Sequence, residues 1–232
     1  ACLSSWSVSK DRWWYMSDFI DLSQDSICAL SFMRRGRLAD CCKPARARLY
    51  DLGPPSAPVN GAGPAPAVQR PPLQVPEVES NARLEGTQLL YRLGYADANE
   101  LRPYGLARWA LPPARLLQQR LRDTLAQQRV VLTPQEGSTI ARAPGQVPNT
   151  LRVTLEEFTH YFESPTQSVG LVRIHATLLQ STPGGDRVIG QRAFTARRAA
   201  PTADAPGGVK ALAASSDDVV AQVAAWVDTP RP

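Results

Sequence analysis

The sequence predicts one α/β domain, a mixed and mostly antiparallel sheet covered by two main helices. Three observations carry that prediction. Residues 84–113 read as strand, turn, strand and the start of a helix. Residues 151–196 alternate apolar and polar side chains through three successive runs. Residues 208–228 repeat apolar side chains at helical spacing.

In chain order, residues 1–46 are an atypical N-terminal extension or defective leader, and residues 47–229 form the domain. The first 46 residues are rich in Trp, Ser and Asp and hold all four cysteines, Cys2, Cys28, Cys41 and Cys42. Tyr50-Asp51-Leu52-Gly53 is a short strand closed by Pro54-Pro55. Residues 54–72, PPSAPVNGAGPAPAVQRPP, are a Pro/Ala/Gly-rich connection with little capacity to bury a core. It reads either as a plain loop or as a spacer between an anchored end and a folded body. Leu73 to Val78 returns to strand character, with Pro76 arguing for a sheet edge.

Leu89 to Leu93 is short, apolar and aromatic, hence a strand. Gly94 to Asn99 carries turn chemistry, and Leu101 to Trp109 returns alongside as the second arm of a hairpin. Pro112 and Pro113 suit the first turn of a helix over about 112–128, where a missing N–H costs nothing. Leu117, Leu121 and Leu125 give that helix an apolar stripe. Val130 to Thr133 is a brief strand, followed by a reversal from Gly137 to Pro148.

Leu151, Val153 and Leu155 alternate in one phase, and Phe158, His160 and Phe162 in the other. A one-residue slip at Glu156-Glu157 is what a β-bulge produces in one long strand. Val172, Ile174, Ala176 and Leu178 are the inward set of the next strand, and residues 183–186 turn it into Val188 to Ala196. The three make an antiparallel meander. Pro206-Gly207-Gly208 then breaks the chain before a helix over about 208–228, with Val209, Leu212, Val219, Val220, Val223, Trp226 and Val227 on one face. The reading has Trp226 closing the core.

Composition narrows the function. The net charge is +5, and of 26 basic residues only Lys10, Lys43 and Lys210 are lysines. No basic cluster interleaved with aromatics stands out, so nucleic acid is not an expected partner. No apolar run approaches the roughly 18 residues of a membrane span. A body without cysteine suits an oxidising compartment. Cys41-Cys42 lacks metal-ligand spacing, and no dinucleotide or phosphate-loop glycine motif occurs, so no cofactor is expected.

A nucleophile–base pair needs a histidine, and only His160 and His175 are present. Both fall in strand patterns and read as partly exposed sheet histidines. Glu156 and Glu157 are adjacent, so on a strand they point to opposite faces rather than to one substrate atom. The chain is therefore not expected to be an enzyme; the rival is a hydrolase with one of the histidines as base.

Two features suggest partner binding. Arg115, Arg122 and Arg129 recur every seven residues, with Arg108 in phase upstream: a solvated face, or a basic strip for acidic head groups or an acidic partner. Tyr91, Tyr95, Tyr104 and Trp109 cluster in the hairpin, as core packing or as a docking surface.

The run LLYRLGYADANELRPYGLARWALPPARLLQQRL (89–121) resembles the ABC-type transport auxiliary lipoprotein family, the PqiC/YmbA-like group. The likeness continues from Tyr50-Asp51-Leu52-Gly53 through Leu151–Phe158 and Phe194–Arg197 to Trp226. It implies a three-layer α/β fold, which pattern alone does not separate from two layers. It also implies a non-catalytic periplasmic lipoprotein held at the outer membrane by a lipid anchor. Its implied partners are an MCE-domain protein and the permease and ATPase of a lipid transport system, with outer-membrane integrity as the outcome. A homo-oligomer stays open. So does a free-standing envelope adaptor that binds protein or cell wall and handles no lipid.

Leu38-Ala39-Asp40-Cys41 resembles a lipobox with Asp40 where a small residue belongs, which makes Cys41 the implied anchor. Arg34, Arg35 and Arg37 interrupt the apolar core a signal peptide needs, so the signal sequence is not intact here. A divergent leader, an unrelated extension and a gene-model error compete. The last fits best, because the hydrophobic pattern demanded by export is absent.

Overall fold

A computed structural model describes residues 46–54, 70–136, 148–182 and 184–229. The anchor candidate Cys41, most of the connection 54–72 and the reversal 137–147 lie outside the described residues.

The described chain runs β1 (Arg48–Tyr50), β2 (Arg70–Gln74), β3 (Glu79–Ser80), β4 (Gln88–Leu93), β5 (Asp97–Trp109), α1 (Pro113–Ala126), β6 (Arg129–Leu132), β7 (Asn149–Phe162), β8 (Ser168–Thr182), β9 (Gly185–Ala199) and α2 (Ala205–Val227). The strands form one mixed sheet centred on β7. β8 pairs antiparallel with β7 along its length, and β9 with β8. On the other side of β7, β2 and β3 run parallel to its first half and β4 to its last residues. This is the expected fold class, meander included.

β7 shows why the pattern works. Its register with β8 shifts between Leu155 and Glu157, so the bulge falls where the phase of alternation changes. The shift lets Leu151, Val153, Leu155, Phe158, His160 and Phe162 all be buried. Across the ladder Val172, Ile174, Ala176 and Leu178 are buried as well. α2 covers this region with Val209, Leu212, Val219, Val220 and Val223, and α1 adds Leu117, Leu121 and Leu125 to the same core. α2 sits so close to β8 that a Cβ on Gly170 would overlap the backbone of Ala211 and Leu212.

Several local expectations are corrected. β2 is no edge strand: it lies between β6 and β7 and ends at Gln74, so Pro76 falls beyond it. Its own Pro71 and Pro72 are tolerated because the β2–β6 register shifts between Arg70 and Leu73 and only Leu73 and Gln74 pair with β7. The connection read as 54–72 therefore gives way to strand at Arg70.

α2 begins at Ala205, so Pro206, Gly207 and Gly208 lie inside it rather than before it. Pro in the first turn forfeits no helical hydrogen bond. The Asp204 carboxylate caps that turn by accepting the Gly207 N–H at 2.8 Å. Trp226 does not close the core; it is half-buried, edge-on to Phe194 at 5.7 Å between ring centroids.

Candidate functional site

β4 and β5 bring the hairpin aromatics against the end of β7. Tyr91 lies 4.6 Å from Tyr104 and 6.0 Å from Phe162, ring centre to ring centre. His160 completes the group, 4.4 Å from Phe162, with its Nδ1 2.8 Å from the Tyr104 hydroxyl. Gly208 at the start of α2 closes it, since a Cβ there would overlap the His160 ring.

His160 is thus fully buried, not a partly exposed sheet histidine as expected. The cause lies outside its strand, in a bare helix backbone docked on the ring. His175 is half-buried on the other face of the sheet, opposite Thr154 and Ala193.

The electrostatics keep this cluster neutral. Burial pushes the His160 imidazole down to about 4, with the Asp204 carboxylate opposing the shift. Burial raises the Tyr104 phenol above its ordinary value, and negative charge on Tyr91 and Asp204 adds to the rise. A neutral imidazole hydrogen-bonded to a neutral phenol packs and orients the ring. Neither partner is primed as a nucleophile at neutral pH.

The hairpin does not present four aromatics on one surface. Trp109 is 1% exposed and stands edge-on to Phe158 in the core, so it has no face to offer a partner. Tyr91 and Tyr104 are half-buried around His160, whereas Tyr95 is 45% exposed.

The arginine strip is broken too. Arg115 is exposed and pairs with Glu77 at 2.7 Å. Arg122 shares an open groove along α1 with Arg115, Gln118, Gln119 and Asp123. α1 ends at Ala126, so Arg129 belongs to β6, where its buried side chain pairs with Asp228. Arg108, in β5, is likewise off the helix.

Two charged groups take structural roles that the sequence reading did not assign. Arg120 is buried and donates to the carbonyl oxygens of Leu52 and Gly53, each at 2.7 Å, fastening the chain beyond β1 to α1. It also reaches Asp217 on α2 at 3.4 Å. Its position beside Leu116, Leu117 and Leu121 in the apolar stripe was the available signal. Glu157 holds Arg83 at 3.0 Å and Arg92 at 3.5 Å, so this carboxylate serves the bulge as an ion-pair partner. Among the described residues no group of three or more His, Cys, Asp or Glu side chains is placed to hold a metal ion.

Among the candidate residues, His160 is held by packing and by the Tyr104 hydroxyl, while Tyr95 and Arg115 are exposed. The chain belongs to the ABC-type transport auxiliary lipoprotein component family, whose model matches residues 50–224, roughly three-quarters of the sequence. No curated protein matches it. Among solved structures it is similar to a Xanthomonas campestris protein described as DUF330, at 18% identity and a TM-score of 0.60, covering 78% of this chain and 94% of that one. A second similar structure is of an uncharacterized protein, at 17% identity and a TM-score of 0.55, covering 79% and 99%. At these identities the likeness is one of fold.

Proposed function

We propose that this auxiliary lipoprotein acts without catalysis, as the periplasmic, outer-membrane-anchored partner of an MCE-type lipid transporter. Cys41 carries the anchor, and the domain from residue 47 to 229 makes the protein contacts. The family match over residues 50–224 carries this reading. Exposure narrows the surface: of the seven candidates, Tyr95 on the hairpin and Arg115 on α1 are exposed, and Arg122, half-buried, lines the open groove along α1. Tyr and Arg are the residue types that dominate binding energy at interfaces.

The test is co-purification with the MCE-domain component and the permease–ATPase from solubilised envelopes. Wild type should be recovered with them, and Tyr95→Ala or Arg122→Glu should reduce recovery several-fold. A folded, exported wild type that never co-purifies, with a deletion strain of unchanged detergent sensitivity, ends the transport reading in favour of the adaptor.

A further inference from the structure

Where β2, β6 and the end of α2 meet, two arginines share one carboxylate. β2 and β6 run parallel and set Arg70 and Arg129 in register as neighbours. Like charges in that position repel unless an anion lies between them. Asp228, just beyond α2, is that anion: Arg70 donates through Nη1 to one carboxylate oxygen, and Arg129 pairs through Nη2 with the other. Arg70 Nη1 also donates to the Gln128 side-chain oxygen. The C-terminal end of α2 adds about half a negative charge, which leaves the corner positive.

The Arg129 side chain is 6% exposed, yet its Nε has no hydrogen-bond partner. A buried guanidinium donor left unmatched is costly, and an incoming acceptor would relieve it. Beside it lies a cavity of about 310 Å³, lined by both arginines and Asn149 and walled by Pro71, Pro72, Leu178 and Val227. The volume is at the low end for ligand pockets, roughly 300–1,000 Å³, so it suits a head group and the first carbons of a chain.

We infer that this corner binds a single anionic group, phosphate or carboxylate, borne on an apolar chain. The guanidinium ions take the anion's oxygens in the planar, forked geometry at which arginine excels. Asn149 offers a side-chain amide, and the proline and aliphatic wall takes the chain. Asp228 holds the two arginines together and competes with the ligand for them. The site gives the transport reading a ligand class and rests on that reading only for its biological use. A failed titration leaves co-purification with the MCE component untouched, and the reverse holds equally.

The test titrates the purified full-length protein by calorimetry with octyl phosphate, octanoate, inorganic phosphate and octanol, all below micelle-forming concentrations. Octyl phosphate and octanoate should bind saturably, and inorganic phosphate and octanol at least tenfold more weakly. Arg70→Gln should weaken octyl phosphate at least tenfold. Asp228→Asn should tighten it threefold or more, a gain that a purely structural ion pair does not produce. Circular dichroism establishes that each variant is folded, and Arg70→Gln decides alone if Asp228→Asn is not. No saturable binding of octyl phosphate, or binding that neither folded variant alters, overturns the site. Equal affinity for inorganic and octyl phosphate overturns the apolar chain.

Discussion

His160 lies fully buried between Tyr104, Phe162 and Gly208, where a charged ring would be poorly solvated. Its pKa falls to about 4 in the fold, against 6.5 for the free side chain. The unfolded chain therefore binds the proton more readily, and stability rises with pH between about 4 and 6.5. Acidification through that window should remove stability on the order of 3 kcal/mol. Urea melts from pH 4 to 7.5 should show a shallower pH dependence in His160→Gln than in wild type; equal slopes would put the proton elsewhere. Gly208 gives the matching steric test. Gly→Ala within a helix gains about 1 kcal/mol of propensity, but overlap with a fixed ring costs about 1–3 kcal/mol. Gly208→Ala should thus destabilise wild type and be tolerated beside His160→Ala, with the coupling read from a double-mutant cycle. Alternation placed His160 on β7. Its depth depends on which face of a distant helix docks there, information that no local window contains.

β7 was legible as an element because its two phases of alternation are written in bulky side chains, Leu151 to Leu155 and Phe158 to Phe162, and only a bulge reconciles them. Deleting Glu156 should remove the bulge and leave Phe158, His160 and Phe162 in phase with Leu151, Val153 and Leu155, still opposite Val172, Gly170 and Ser168. That variant should therefore still unfold cooperatively in denaturant melts, and loss of cooperativity would show that the bulge itself is required. Glu156→Ala should change stability by no more than about 0.5 kcal/mol, as surface substitutions do. α2 was legible in type but not at its start, because Pro-Gly-Gly is usually a breaker. Here proline sits in the first turn, and Gly208 is required by close approach to His160. Nor does helical spacing distinguish the centre of a buried face from its margin. Leu212 is fully buried and Trp226 half-buried at the rim, so Leu212→Ala should cost about 2–5 kcal/mol. Trp226→Ala should cost less than Leu212→Ala; the reverse order in denaturant melts would place the indole deeper than it stands.

At the scale of the whole molecule, the described core runs from Leu52 to Val227, and no described helix is long and apolar enough to cross a membrane. The candidate anchor and the core thus occupy different parts of the sequence, and the two should be separable by mutation. Stable lipid anchoring takes more than one acyl chain or a chain plus a second membrane contact. Removing the candidate anchor residue should therefore release the protein without touching the core. Cys41→Ser, expressed behind a functional lipoprotein leader, should move from the outer-membrane fraction to the soluble periplasmic fraction. Its far-UV circular dichroism and melting midpoint should match those of the wild-type body. If Cys41→Ser stays in the membrane fraction and Cys42→Ser leaves it, the anchor is one residue further on. If both variants stay, acylation at this pair is not what holds the protein to the envelope.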